Sequence, residues 1–213
     1  MSNPRKLSNV AVAMQSALAS AITITAITKA TEGVVTSTNT LANGEFVVLA
    51  VDGMWQLNDM VVRVKSVSGS GFTLEGIDTT LFDTFTSGTA QKITFGVSVT
   101  TATEVSPSGG DYDFIPTTTI HAAQQTQIPG TPTAGVYAFT NVWDISDAGL
   151  LAIKAASDAQ AKRAVKFTFG VGGPIMCFNG YPGGQLLPGG QAQGLVTTPT
   201  VITLSGTPTY YGA

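Results

Sequence analysis

SDAGLLAIKAASDAQAKRAVKFTF, residues 146–169, holds the one convincing helical pattern in the chain, followed by one clean amphipathic strand. Ser146 is placed to cap the helix by accepting a bond from a free backbone N–H, with Asp147 at the positive end of the dipole. Leu150, Leu151 and Ile153, with Ala155 and Ala159, form a narrow apolar stripe, while Lys154 and Asp158 face water. Lys162 and Arg163 then complement the negative C-terminal end. The spacing predicts a helix over about 146–160. After it, Val165, Phe167 and Phe169 alternate with Ala164, Lys166 and Thr168, so the strand has one apolar and one polar face. Elsewhere the sequence is short Thr-, Val- and Gly-rich runs cut by turns. The expected class is therefore mainly β, a sandwich or barrel carrying one helix.

Composition narrows the function. The 213 residues are 43% hydrophobic, ample for a core, yet only 11% are charged, against about a quarter in an average soluble protein. A charge-poor surface suits a subunit that buries much of its outside against other subunits, and it also suits a secreted β protein. The net charge of −3 comes with no basic stripe, which disfavours phosphate-driven DNA binding. Arg5 and Lys6, the apolar run to Leu18 and Ala19-Ser20-Ala21 imitate a signal peptide, but Asn9, Gln15 and Ser16 interrupt it and the segment also reads as a strand. No stretch of about 20 residues is apolar throughout, so no membrane-spanning helix is expected.

Outward from the opening stretch, Val10, Val12 and Met14 alternate with alanines, and Ile22, Ile24 and Ile27 lie in a β-prone segment. From Glu32 to Gly96 come small strands: Val34–Ser37, an Asn43-Gly44 turn, and the apolar run Phe46–Val51, which reads as a fully buried strand. Val62 and Val64 then alternate with Arg63 and Lys65, and Ser68–Gly71 connects them to Phe72 and Leu74 as a hairpin. Ser106–Gly110, Ala122–Thr133 and Gly180–Gly194 read as uncharged loops. Ile175–Phe178 reads as a short strand, and Val196–Ser205 as the closing one.

The residues that carry chemistry do not form a catalytic set. His121 is the only histidine and sits in an extended polar stretch without a nucleophile signature. Cys177, the only cysteine, excludes an internal disulfide framework and reads as a small buried apolar residue. Asp111 and Asp113 lack a calcium-loop pattern. Gly170–Gly173 and Gly183–Gly194 lack phosphate-loop spacing. Asp144, Asp147 and Asp158 surround the helix; capping and solvation explain them more simply than a glycosidase-like pair. Trp55, Trp143, Tyr137 and Tyr181 read as core or interface aromatics, with sugar stacking as the other possibility.

In the order of its elements the chain resembles the tail tube (major tail) proteins of long-tailed, lambda-like phages. The likeness rests first on SDAGLLAIKAASDAQAKRAVKFTFGVGG, then on Ile175–Tyr181, a Gly-rich loop, and a last strand ending Ile202-Thr203-Leu204-Ser205-Gly206-Thr207-Pro208. A second likeness lies in Gly44–Val51, Gly53–Asn58, Val62-Arg63-Val64 and Phe72–Asp78, similar to a small β module of tail-associated phage proteins. Together they cover roughly two-thirds of the chain.

The resemblance implies a tail-tube β-sandwich domain of residues 1–31 and 97–213, with a small β module inserted at 32–96. It implies a structural virion protein, not an enzyme, without cofactors or metal. Such subunits form hexameric rings that stack into a hollow tube through which DNA passes to the host. Expected partners are further copies, the tape-measure, the tail terminator and the baseplate or tip proteins; DNA is in transit only, and no membrane is involved. The protein would be made in the host bacterial cytoplasm. Arg163, Lys166, Thr168, Thr203 and Ser205 become candidate interface or lumen residues. Pro107, Gly110, Gln124, Gln127, Pro129, Pro182, Gly184, Pro188 and Gly190 become candidate assembly-loop positions. The competing expectations are a single-ring minor tail or head–tail joining protein, and a secreted carbohydrate-binding module or adhesin.

Overall fold

A computed structural model describes residues 9–212; Arg5 and Lys6 of the signal-like stretch lie outside them. Strand makes up 52% and helix 7%, so the mainly β expectation holds. In chain order the strands are β1 (Val10–Leu18), β2 (Ile22–Ile24), β3 (Ala26–Ile27), β4 (Val34–Thr36), β5 (Phe46–Asp52), β6 (Val61–Ser68) and β7 (Gly71–Leu74). There follow β8 (Ser87–Val99), β9 (Ala102–Ser108), β10 (Tyr112–Pro116), β11 (Gln127–Pro132), β12 (Val136–Val142), β13 (Arg163–Phe169), β14 (Ile175–Gly183) and β15 (Thr197–Tyr211). The helix α1 spans Ala148–Asp158, and a single 3-10 turn covers Trp55–Leu57.

One curled sheet runs β3-β4-β7-β6-β5-β8-β1-β13-β14-β15-β12-β9, with β2 added beside β8. Only β10 and β11 stand apart, as a two-stranded ribbon. β1 is central: it pairs antiparallel with β13 on one side and β8 on the other. The described part of the stretch that imitates a signal peptide, Val10–Leu18, is thus an internal strand, and cleavage after Ala21 would remove it.

The side-chain period of two sorts the sheet's residues between two cores. On the concave face of the C-terminal strands, Val12, Met14, Phe139, Val165, Phe167, Met176, Phe178 and Ile202 pack together with Ile153 of α1. Phe167 is the hub, with ring centroids of Tyr137, Phe139, Phe178 and Phe169 between 5.5 and 6.4 Å away. A second core belongs to residues 24–90, with Val47, Leu49, Leu57, Val62, Val64, Phe72 and Leu74 all but inaccessible.

β8 runs unbroken from Ser87 to Val99, through the expected boundary between Gly96 and Val97. Its first half pairs with β5 and its second with β1. β1 bulges around Gln15 and Ser16 opposite it, which lets one strand serve two differently curved regions.

A third, small cluster joins the two regions. Ala164 and Cys177, on the outer face of β13 and β14, lie against Val61 and Ile93, with Phe46, Val48 and Phe95 around them. This corrects the reading of Phe46–Val51 as uniformly buried. Its odd and even positions go to different cores, and Ala50 stays exposed. Around the cluster, Thr209 donates to the Val61 carbonyl (2.7 Å) and the Tyr211 hydroxyl accepts from the Arg63 N–H (2.8 Å). Asp59 accepts from Ser205 (2.9 Å) and pairs with Lys162. The last strand therefore reaches beyond the expected end at Ser205, because its final residues stitch onto β6. Gly206, at φ 77°, makes the kink; a Cβ there would sit 3.0 Å from the Asp59 carbonyl oxygen.

The helix differs in detail from its sequence pattern. Its cap is Asp147, which accepts from the Leu150 N–H at 2.8 Å, while Ser146 donates instead to Asp144. The buried face is Gly149, Leu150, Ile153 and Ala156; Leu151, Ala155 and Ala159 point to solvent. Gly149 sets this rotation, since a Cβ there would lie 2.7 Å from the Ser98 carbonyl oxygen. The helix thus seats flush on the end of β8 and brings Leu150, not Leu151, inward. Lys162 does not serve the helix end, being held by Asp59.

Cys177 is fully buried, as expected, and burial pushes its thiol up to about 12. Burial also raises the Tyr137 and Tyr211 hydroxyls. The native state holds these protons at a pH where the unfolded chain has released them. Stability is therefore full below the unfolded thiol value and falls as pH rises from about 9 toward 12. For the thiol the slope approaches about 1.4 kcal/mol per pH unit. Denaturant midpoints at pH 7, 9 and 11 check this, and Cys177→Ala should flatten the alkaline loss; an equal loss in both proteins contradicts it.

Candidate assembly surfaces

The outer face of the C-terminal strands leaves its side chains exposed or half-buried along β12, β9 and residues 201–205 of β15. Register places Tyr181 opposite Thr203, Thr203 opposite Val136, and Val136 opposite Ser108. The same face carries Val201, Ala138, Thr140, Ser106 and Glu104. Small neutral side chains dominate it, and Glu104 is its charged member among these positions. Where this face reaches β13, Phe46 of β5 and Phe95 of β8 cover it. The Lys166 ammonium lies 4.9 Å from the Phe95 ring centroid and 5.5 Å from that of Phe46. Thr168 and Thr203 are half-buried, and Ser205 is held by Asp59. Arg163 donates to the Lys162 carbonyl at 3.0 Å and forms no ion pair among the described residues.

β9 is the edge of the sheet, and Pro107 sits within it opposite Tyr137 rather than in a loop. An edge strand tolerates proline because its outward side has no ladder partner to satisfy. Between β9 and the start of β1 a cavity of about 540 Å³ opens, floored by Val12, Val105, Tyr137, Phe167, Phe169 and Met176. The curled sheet is thus left unclosed along this seam.

The expected loop Ala122–Thr133 is largely strand. Gln127 and Pro129 belong to β11, and Pro129 faces Phe114 of β10. The ribbon springs from Gly109 and Gly110, both at positive φ, and turns back through a tip containing His121 and Gln124. Every residue from Ser106 to Pro129 is exposed. Tyr112, Phe114, Ile115 and Ile128 each show just over half their surface. Sequence reading missed this arm because Thr, Gln and Pro dilute its alternation.

Pro182 is likewise a strand residue: β14 continues to Gly183, with Pro182 opposite Ile202. Beyond it, the Gly184 N–H donates to Ser157 at the end of α1, and Trp143 donates to the Leu186 carbonyl at 2.9 Å. Pro188 and Gly190 lie in the exposed remainder, beside Leu187 and Leu195, each about 70% exposed.

The carboxylates around α1 have structural partners. Asp144 accepts from Ser146, which lowers its pKa; Asp147 caps; Asp158 pairs with Lys154, which lowers its pKa. Among the described residues no group of three or more His, Cys, Asp or Glu is arranged to hold a metal. No described helix is long and apolar enough to cross a membrane. What remains exposed and unexplained by the monomer is largely apolar or neutral: a sheet face, an open seam, an arm that also carries Asp111 and Asp113, and a Gly-rich loop.

No curated protein matches the chain. A family described as phage tail tube protein, TTP, matches residues 52–213, which includes the strands from β6 onward, the arm, the helix and the last strand. The chain therefore belongs to the phage tail tube protein family, a structural component of the phage tail and so of the virion.

Proposed function

We propose that this chain assembles into hexameric rings that stack into a hollow tube, and that DNA passes through it to the host without being specifically bound. The observation that carries this is the outer face of β14, β15, β12 and β9. Beside a polyanion, a surface of Ala138, Thr140, Thr203, Ser106 and Glu104 offers no ammonium or guanidinium to hold phosphate, so the duplex slides. We assign it to the lumen, with Thr203 within it. The open edge of β9 supports ring formation, because unpaired edge groups gain partners when a neighbouring copy completes the sheet. Residues 32–96, with their separate core, form the inserted module of a tube domain built from the remainder, sharing β8. Gly110, Gln124, Gln127 and Pro129 of the arm, and Gly184, Pro188 and Gly190 of the last loop, are the segments that reach other copies. Tape-measure, terminator and tip proteins are the partners at the tube's ends.

Negative-stain images of the purified chain should show rings or long hollow tubes with six-fold end views. A species that stays monomeric at high concentration, with and without a tail-assembly partner, would falsify this. Rings that never elongate would favour a single-ring joining protein. The secreted carbohydrate-binding reading requires cleavage after Ala21; an intact N-terminus by mass measurement removes its support.

A further inference from the structure

The arm has two faces of different chemistry, and its side chains are exposed on both. Alternation along β10 puts Tyr112 and Phe114 on one side, with Pro129 opposite Phe114. Asp111, Asp113 and Ile115 fall on the other, with Ile128 opposite Ile115. The four large apolar residues are each 52–56% exposed. A lone two-stranded ribbon is marginally stable in water at best, and a ribbon resting on one surface has reason to be apolar on one face only. This ribbon is apolar on both, one face aromatic and neutral, the other aliphatic with two carboxylates.

Charge narrows what meets the second face. The cations Arg63, Lys65 and Lys92 are paired with Glu75, Glu32 and Glu45, and Lys162 and Lys154 are paired near α1, while Lys29 is exposed and in no ion pair among the described residues. Lys166 lies over two rings. Arg163 is the guanidinium left without a carboxylate among the described residues, and it stands at the end of β13 nearest the arm's root, in register with Gly180 and, through it, Leu204. The Leu204 N–H in turn donates to the Gly135 carbonyl beside that root.

Resting on the assembly reading above, we propose that each arm is clamped on both faces by other copies of this chain. Its acidic face is seated by Arg163 of one neighbour, and its aromatic face is covered by another. A guanidinium offers a planar fork to carboxylates, so the contact fixes the arm's register as well as its affinity. The aromatic face supplies apolar burial without charge.

The test uses the full chain, with tube formation scored by sedimentation and negative-stain images, and folding by thermal melts. Asp111→Lys with Asp113→Lys should abolish tubes while leaving the melt unchanged, because both residues are exposed. Adding Arg163→Glu to that pair should restore tubes. Tyr112→Ser with Phe114→Ser should abolish tubes although the acidic face is intact. Tubes from the serine variant at wild-type yield overturn the two-faced clamp. Failure of Arg163→Glu to rescue, or rescue by Lys29→Glu instead, overturns the assignment to Arg163. If the unaltered chain makes no rings or tubes, the assembly reading fails and carries this inference with it.

Discussion

Phe167→Asp is expected to yield no soluble, folded protein. The side chain is 3% exposed and in ring contact with Tyr137, Phe139, Phe169 and Phe178. Truncating such a residue costs about 3–5 kcal/mol through lost burial and the cavity left behind. Burying a carboxylate there adds several more, since the cluster around it is built of hydrophobic side chains. A domain stable by about 5–15 kcal/mol has little left after that. Expression should move to the insoluble fraction, and any soluble material should lack near-ultraviolet signals from packed aromatics. Phe167→Leu, which keeps an apolar group of similar bulk, should remain soluble with a lower melting temperature. Soluble Phe167→Asp with wild-type spectra would mean that the concave face of β13 is not the core.

Tyr211→Ala should be the next most damaging change, although the residue lies near the end of the described chain. Tyr211 is 4% exposed, and its ring meets Phe46 at 6.0 Å edge-on and carries the Arg63 guanidinium at 4.6 Å. Its hydroxyl satisfies the Arg63 N–H. Removing it opens a cavity between the last strand and β6 and leaves a donor unpaired. The expected loss is about 3–5 kcal/mol for an aromatic truncation, and an unmet buried donor adds about 1–3 kcal/mol. Tyr211→Phe keeps the ring and should lose only the hydrogen-bond part. Denaturant titration measures both, and equal losses in the two variants would show that the ring packing contributes nothing. The same experiment asks whether the two regions unfold together. Because Tyr211, Thr209 and Asp59 tie them, Tyr211→Ala should split a single transition into two.

Much of the fold was legible because periodicity survives in short windows. The alternations at Val10–Met14, Val62–Lys65 and Val165–Phe169 each became a strand. The helix pattern was found at the right place, but its rotation was not. Leu150 and Leu151 are equally apolar, and only the close approach of Gly149 to Ser98 selects which one turns inward. Choosing Ser146 over Asp147 as cap failed for a similar reason: both side chains can accept, and Asp144 claims the Ser146 hydroxyl. The loops were harder. Pro107, Pro129 and Pro182 argue against strands in isolation, yet all three lie in them: Pro107 in the edge strand, Pro129 in the ribbon, and Pro182 past Gly180, the last β14 residue paired with β13.

By itself the sequence determined the class, the one helix and the likeness to tail tube proteins. Those follow from local side-chain period and from which residue types are present, and neither depends on long-range contact. Tertiary structure alone decided that β8 serves both cores and that the supposed polar face of β13 carries Ala164 and Lys166 against Phe46 and Phe95. It also decided that the polar stretch after Pro116 folds back as an arm exposed on both faces. Each of these depends on residues tens of positions apart meeting across the sheet, and hydrophobic burial, being non-directional, leaves no local mark of which partner will be found.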